Sequence, residues 1–115
     1  MKRDISIYLK DILENMERIE TFTSGKNYDD FSNDEKTHFA VIRCIEIIGE
    51  ATKHVPDSIR HKYPEIPWKD MAGMRDKVIH FYFGVNLERV WLTVTEDIPE
   101  IKPLIEKVLY DYKKL

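Results

Sequence analysis

The chain has 115 residues, 43% of them hydrophobic and 34% charged, with a formal net charge of -3. That length makes a single domain over 1–115 with a real but modest core. The acidic balance excludes a nonspecific polycationic nucleic-acid binder and leaves room for a local basic site.

Asp4, Lys10 and Asp11 interrupt any apolar run after Met1-Lys2-Arg3, so no signal peptide is expected. No run is long enough to span a bilayer, and the expectation is a cytoplasmic protein with no membrane association. A first helix runs from about Asp4 to Phe22. Its stripe is Ile5, Leu9, Ile12, Met16 and Ile19, at spacings of three and four. Thr23-Ser24-Gly25 ends it, and Lys26 to Phe31 reads as a polar loop.

Ser32-Asn33-Asp34-Glu35 has the S-x-x-E form of a capping box, with Ser32 as cap and Glu35 reaching back. It predicts a second helix from about Asn33 to His54. The middle of that helix is apolar almost all round: Phe39, Ala40, Val41, Ile42, Cys44, Ile45, Ile47, Ile48 and Ala51. Such a helix is central or packs a second face on a partner. Cys44, the only cysteine, rules out an intramolecular disulfide and reads as a buried, inert thiol. The polar residues Arg43, Glu46, Glu50 and Lys53 form one narrow line. The line is either the solvent edge of a core helix, with Arg43–Glu46 and Glu46/Glu50–Lys53 pairs, or a polar wall beside an active site. Glu46 and Glu50 share a face, a like-charge juxtaposition that a nearby cation would offset.

Val55-Pro56 ends this helix, and Asp57 to Lys62 makes one or two further turns. Tyr63-Pro64-Glu65-Ile66-Pro67 is a rigid connector, because its two prolines cannot sit inside a helix. A helix from about Trp68 to Phe81 follows, with Met71, Met74, Val78 and Phe81 as its stripe. Gly84-Val85-Asn86 breaks it. Asn86 caps Leu87 to Glu96, where Leu87, Val90, Trp91 and Val94 face inward. Asp97-Ile98-Pro99-Glu100 predicts a fresh helix start, with Asp97 as cap. The last helix carries Ile101, Leu104, Ile105, Val108 and Leu109. No strand-like alternation persists. The fold class is all-α: an up-and-down bundle of about five helices.

The chemistry gathers in Met74-Arg75-Asp76-Lys77-Val78-Ile79-His80-Phe81-Tyr82. On an ideal helix Asp76 and His80 share a face, so the carboxylate can fix one imidazole nitrogen and leave the other free. Gly73, on the same side, leaves room for another chain or a ligand. Arg75 and His80 lie roughly 140° apart around the wheel. They meet only if the helix ends near His80, the arginine bends around, or a second subunit completes the pair. The bland readings stand beside these: His80 as a surface or capping residue, Tyr82 as a core or interface aromatic, Arg75 as an ordinary ion-pair partner. The four histidines are scattered, without C-x-x-C or H-E-x-x-H, so neither a metal nor a cofactor is expected.

Arg75-Asp76-Lys77-Val78-Ile79-His80-Phe81-Tyr82 resembles the R-x4-H-x-Y motif of HepT-like proteins, members of the HEPN superfamily of helical ribonucleases and interaction domains. The flanks are similar too: Arg43 to Ala51, Ile66-Pro67-Trp68 with Met71 to Arg75, and Phe83 to Trp91. One departure is Phe81, where an acidic residue often stands. The resemblance implies a HEPN-like homodimer whose motif helices meet at the dimer axis, with Arg75 and His80 of both copies lining one cleft. It implies a metal-independent endoribonuclease in which Arg75 and His80 are catalytic, supported by Asp76, Glu46, Glu50 and Arg43. It also implies a toxin paired with an MntA-like nucleotidyltransferase antitoxin, which transfers AMP from ATP to Tyr82. Two alternatives remain: a non-catalytic helical partner of a nucleotidyltransferase, and a plain bundle in which the motif is packing.

Overall fold

The structure, a computed structural model, describes residues 4–80 and 86–113, with 77–80 described as backbone. The elements are α1 (Ile5–Thr23), α2 (Tyr28–Asn33), α3 (Glu35–Lys53), α4 (Asp57–Lys62), α5 (Trp68–His80), α6 (Leu87–Leu92) and α7 (Ile98–Lys113), with a π-helical turn, Thr93–Asp97, joining the last two. No strand occurs among the described residues. The expected all-α bundle is therefore the observed fold. Among the described residues, no helix is long and apolar enough to cross a membrane.

The stripe of α1 becomes core: Leu9, Ile12, Met16 and Ile19 are fully buried, and Ile5 packs at the edge. Asp4 caps this helix by accepting from the Ser6 N–H at 2.9 Å. Gly25, at φ 73°, turns the chain away after its last turn. α1 packs on α3 and α7, and α3 packs on α1 and α5. That makes α3 the central helix. Val41, Ile42, Cys44, Ile45, Ile48 and Ala51 are buried by neighbours in the same chain, while Phe39 stays exposed. Burial pushes the Cys44 thiol up from its ordinary range, against a smaller lowering by Arg18 and Arg43.

The stretch expected as a loop contains α2. Asn27 and Asp30 form a reciprocal capping box, with Asp30 N–H donating to Asn27 Oδ1 at 2.8 Å and Asn27 N–H to Asp30 Oδ2 at 3.1 Å. Six residues are too few to hold a helix alone. Tertiary burial supplies the rest: Phe31 is fully buried, and its ring lies 5.0 Å from that of Trp91. Full burial of one such ring is worth about 1.5–3 kcal/mol. α2 extends to Asn33, so Ser32 lies inside it, its hydroxyl donating to the Asp29 carbonyl. The cap of α3 is Asp34, which accepts from the Thr37 N–H at 3.2 Å and the Thr37 hydroxyl at 2.7 Å. The expected cap at Ser32 thus lies two residues later, at Asp34, and the Ser32–Glu35 box does not form.

The other end of α3 is closed by α4. Arg60 donates from Nη2 to the Thr52 carbonyl at 2.8 Å and from Nε to the Val55 carbonyl at 3.0 Å. The Tyr63–Pro67 connector is non-helical as expected and tied at both ends. Trp68 Nε1 donates to the Tyr63 carbonyl at 3.0 Å, and the Tyr63 hydroxyl donates to Asp111 Oδ2 of α7 at 2.8 Å.

The C-terminal region departs from expectation. Asn86 caps α6 as expected, accepting from the Arg89 N–H at 3.1 Å. The new start at Asp97 does not occur: helical backbone continues from Leu87 to Lys113 through the π turn, where Ile98 N–H donates to the Thr93 carbonyl. Pro99 supplies the physical reason. In a regular helix its ring would press on the Thr95 carbonyl four residues back, and the widened turn gives it room. Asp97, freed from capping, pairs with Arg89 at 3.6 Å. Val90, Val94, Ile98, Ile101, Ile105, Val108 and Leu109 line the buried face of this long helix.

Candidate functional site

The site is built where α5 lies against α3. Two residues set how closely they approach. Met71 on α5 is fully buried. Gly49 on α3 has no side chain to hold the helices apart: a Cβ there would lie 2.9 Å from Arg75 N, 3.0 Å from Arg75 Cβ and 3.3 Å from the Met71 carbonyl. The absence of that one atom fixes where Arg75 leaves the α5 backbone. Gly73, by contrast, faces open space within this chain.

Outside this contact runs a seam of charges. Glu50 Oε2 lies 3.3 Å from Arg75 Nη1, with side chains 52% and 41% exposed. Lys53 Nζ lies 3.4 Å from Asp76 Oδ1. Glu50 Oε1 lies 3.7 Å from His54 Nε2. The His54 ring stacks on Tyr8 of α1, with centroids 4.8 Å apart and planes 14° from parallel. One turn earlier on α3, Arg43 Nη1 lies 3.6 Å from Glu46 Oε2. Ion pairs this exposed contribute about 0.2–1 kcal/mol each. They orient side chains, while the apolar contacts of Met71 and the close approach at Gly49 set the helix positions.

The polar line of α3 is therefore both a solvent edge and a wall beside the motif helix. The Arg43–Glu46 pair forms as expected. Lys53 reaches across to Asp76 instead of pairing with Glu46 or Glu50 on its own helix. The like charges of Glu46 and Glu50 are each offset by a separate arginine, Arg43 and Arg75. Asp76, expected to orient His80, has Lys53 as its described partner. The side chains of Val78 and His80 lie outside the described residues, as do Phe81, Tyr82 and the break at Gly84-Val85. The backbone at His80 is described, and α5 is α-helical through it. The helix is bounded at His80, as one of the three expected routes requires, and the His80 side chain that would complete the pair lies outside the described residues.

The sequence reading passed over Gly49, whose signal is a lone glycine inside an otherwise apolar helix. It also passed over the cross-helix pairing. The signal there is complementary order, since Glu50 and Lys53 on α3 face Arg75 and Asp76 on α5. Among the described residues, no three His, Cys, Asp or Glu side chains gather as a metal-binding group.

Residues 12–108 match the sequence model of the ribonuclease HepT-like family. A protein of Methanocaldococcus jannaschii named as a candidate RNase is 53% identical over 110 residues, covering 96% of this chain and 91% of that protein. A second from the same organism, similarly named, is 51% identical over 113 residues, covering 98% and 97%. The protein named "Probable ribonuclease HepT" from Thermococcus cleftensis is 54% identical over 108 residues, covering 94% and 98%. No solved structure matches the chain.

Proposed function

The chain belongs to the HepT-like ribonuclease family, and from that premise we propose that it is a toxin that cleaves RNA without a metal ion, with Arg75 and His80 as its catalytic residues. The observation that carries this reading is the position of Arg75. A guanidinium on the motif helix stands at the solvent edge of the α3–α5 seam, 41% exposed, rather than in the core. It is accessible to a phosphate and held near its root by the contact with Gly49.

The chemistry follows from the side chains. One His80 takes the proton of a ribose 2′-hydroxyl. The 2′-oxygen bonds to the adjacent phosphorus, the bond from phosphorus to the 5′-oxygen breaks, and the leaving oxygen takes a proton from the other His80 or from water. Imidazole suits both roles because it titrates near neutral pH. Arg75 stabilises the negative charge that builds on the phosphorane oxygens. A second copy of the chain supplies the second His80. The regular course of α5 supports this, since roughly 140° of helix separates Arg75 from His80 within one copy.

The regulatory half of the proposal concerns Tyr82. An MntA-like nucleotidyltransferase antitoxin transfers AMP from ATP to its hydroxyl, placing a bulky anion beside the cleft and repelling RNA. The whole reading is tested by RNA cleavage before and after incubation with the nucleotidyltransferase and ATP, with mass analysis of the Tyr82 peptide. Cleavage that stops as AMP appears on Tyr82 is the expected result. Cleavage that persists on fully modified protein refutes the regulatory half.

A further inference from the structure

The Glu50–Arg75 pair commits one part of the guanidinium and, among the described residues, leaves another without a partner. Glu50 Oε2 contacts Nη1. Nη1 is the nitrogen outside the Nε/Nη2 edge, and that edge can grip two phosphate oxygens at once. No described residue takes a hydrogen bond or ion pair from Arg75 Nε or Nη2.

The carboxylate is itself steadied. Its other oxygen faces His54 at 3.7 Å, and His54 rests on the Tyr8 ring of α1. The neighbouring charged groups on α3 are engaged elsewhere: Glu46 with Arg43, and Lys53 with Asp76. Glu50 is thus the carboxylate on this line that meets Arg75. Gly49, the residue before it, brings the Arg75 backbone against α3. One turn of α3 therefore holds the arginine at its root and at its tip.

We infer that Glu50 is a positioning residue for Arg75: by holding Nη1 it turns the Nε/Nη2 edge toward the scissile phosphodiester. The inference rests on the reading of Arg75 and His80 as a ribonuclease site. The opposite role has opposite consequences. A carboxylate that merely competed with phosphate for Arg75 would act as a brake, and its removal would speed cleavage or tighten RNA binding.

The experiment compares wild type, Glu50→Gln and Glu50→Ala in two measurements. The first is steady-state cleavage of a labelled RNA oligonucleotide. The second is the NMR signal of the Arg75 Nε–H, identified by its loss in Arg75→Lys, titrated with inorganic phosphate. Glu50 is 52% exposed, so both variants keep the core, which thermal melts verify. Glu50→Ala should lower kcat about tenfold, as loss of an orienting partner does, with KM little changed. Glu50→Gln, which retains an acceptor oxygen, should fall between. The phosphate-induced shift of the Arg75 signal should weaken in the same order. A Glu50→Ala variant with wild-type or higher kcat and an undiminished phosphate response overturns the inference. If the wild type itself cleaves no RNA, the ribonuclease reading fails separately. The phosphate response then decides for Glu50: its loss in Glu50→Ala supports the positioning role, and its retention refutes it.

Discussion

Gly49 of α3 lies directly against the backbone of Arg75 on α5, so close that a Cβ at Gly49 would stand 2.9 Å from Arg75 N. Backbone atoms cannot rotate aside, so Gly49→Ala must push the helices apart. Alanine gains about 1 kcal/mol over glycine in a helix, but overpacking costs typically 1–3 kcal/mol. Overpacking should win. The expected outcome in denaturant melts is a destabilised protein, with RNA cleavage reduced further because Arg75 is displaced.

Gly73→Ala carries the opposite sign. Nothing lies within 4 Å of the Cβ it would add, so the helix-propensity gain of about 1 kcal/mol stands alone in an isolated chain. Denaturant melts of the two variants side by side check both signs. If Gly73→Ala is the more damaging, another chain packs on that face.

Asp34 makes stability depend on pH. The Thr37 hydroxyl and then the Thr37 N–H hold its carboxyl below the ordinary 3.8. A folded-state value below the unfolded one means that the stabilisation is complete above the ordinary value. It is lost as pH falls through the lowered one. Asp34→Asn keeps a capping side chain without the titration. Between about pH 5 and about pH 2, the wild type should therefore lose more Tm than Asp34→Asn. Parallel melting curves across that range would remove the effect.

Cys44 should be inert in the folded state. It is 4% exposed, and burial raises its thiol above the ordinary value of 9.0, so little thiolate forms at neutral pH. A thiol reagent should react at the rate of unfolding and promptly in denaturant. Rapid stoichiometric reaction with native protein would contradict this.

Tyr63→Phe should cost about 0.5–1.5 kcal/mol, the net worth of one hydrogen bond, because it removes the bond from the connector to Asp111 on α7. The same bond, with burial second, raises the Tyr63 phenol above its ordinary value of 10.0. Denaturant melts and an alkaline absorbance titration check the two consequences.

Local pattern disclosed α1, α3, α5 and most of the C-terminal helix, because a stripe such as Leu9, Ile12, Met16 and Ile19 needs no knowledge of its partner. It missed α2, whose stability comes from the distant contact of Phe31 with Trp91. It placed a helix start at Asp97, where the local signature was sound but Pro99 could be met by a widened turn. At the site, the residue types of α5 were visible and their partners on α3 were not. Glu50 and Lys53 read as a charged edge until the packing at Gly49 set Arg75 and Asp76 against them.

The central claim is tested most directly by incubating purified protein with RNA in the presence of excess chelator, alongside Arg75→Ala and His80→Ala. Wild type should cleave, and each variant should lose at least about 10²-fold in rate, as removal of one transition-state contact does elsewhere. Cleavage by either variant at the wild-type rate would contradict the assignment of that residue, and an inactive wild type would contradict the claim as a whole.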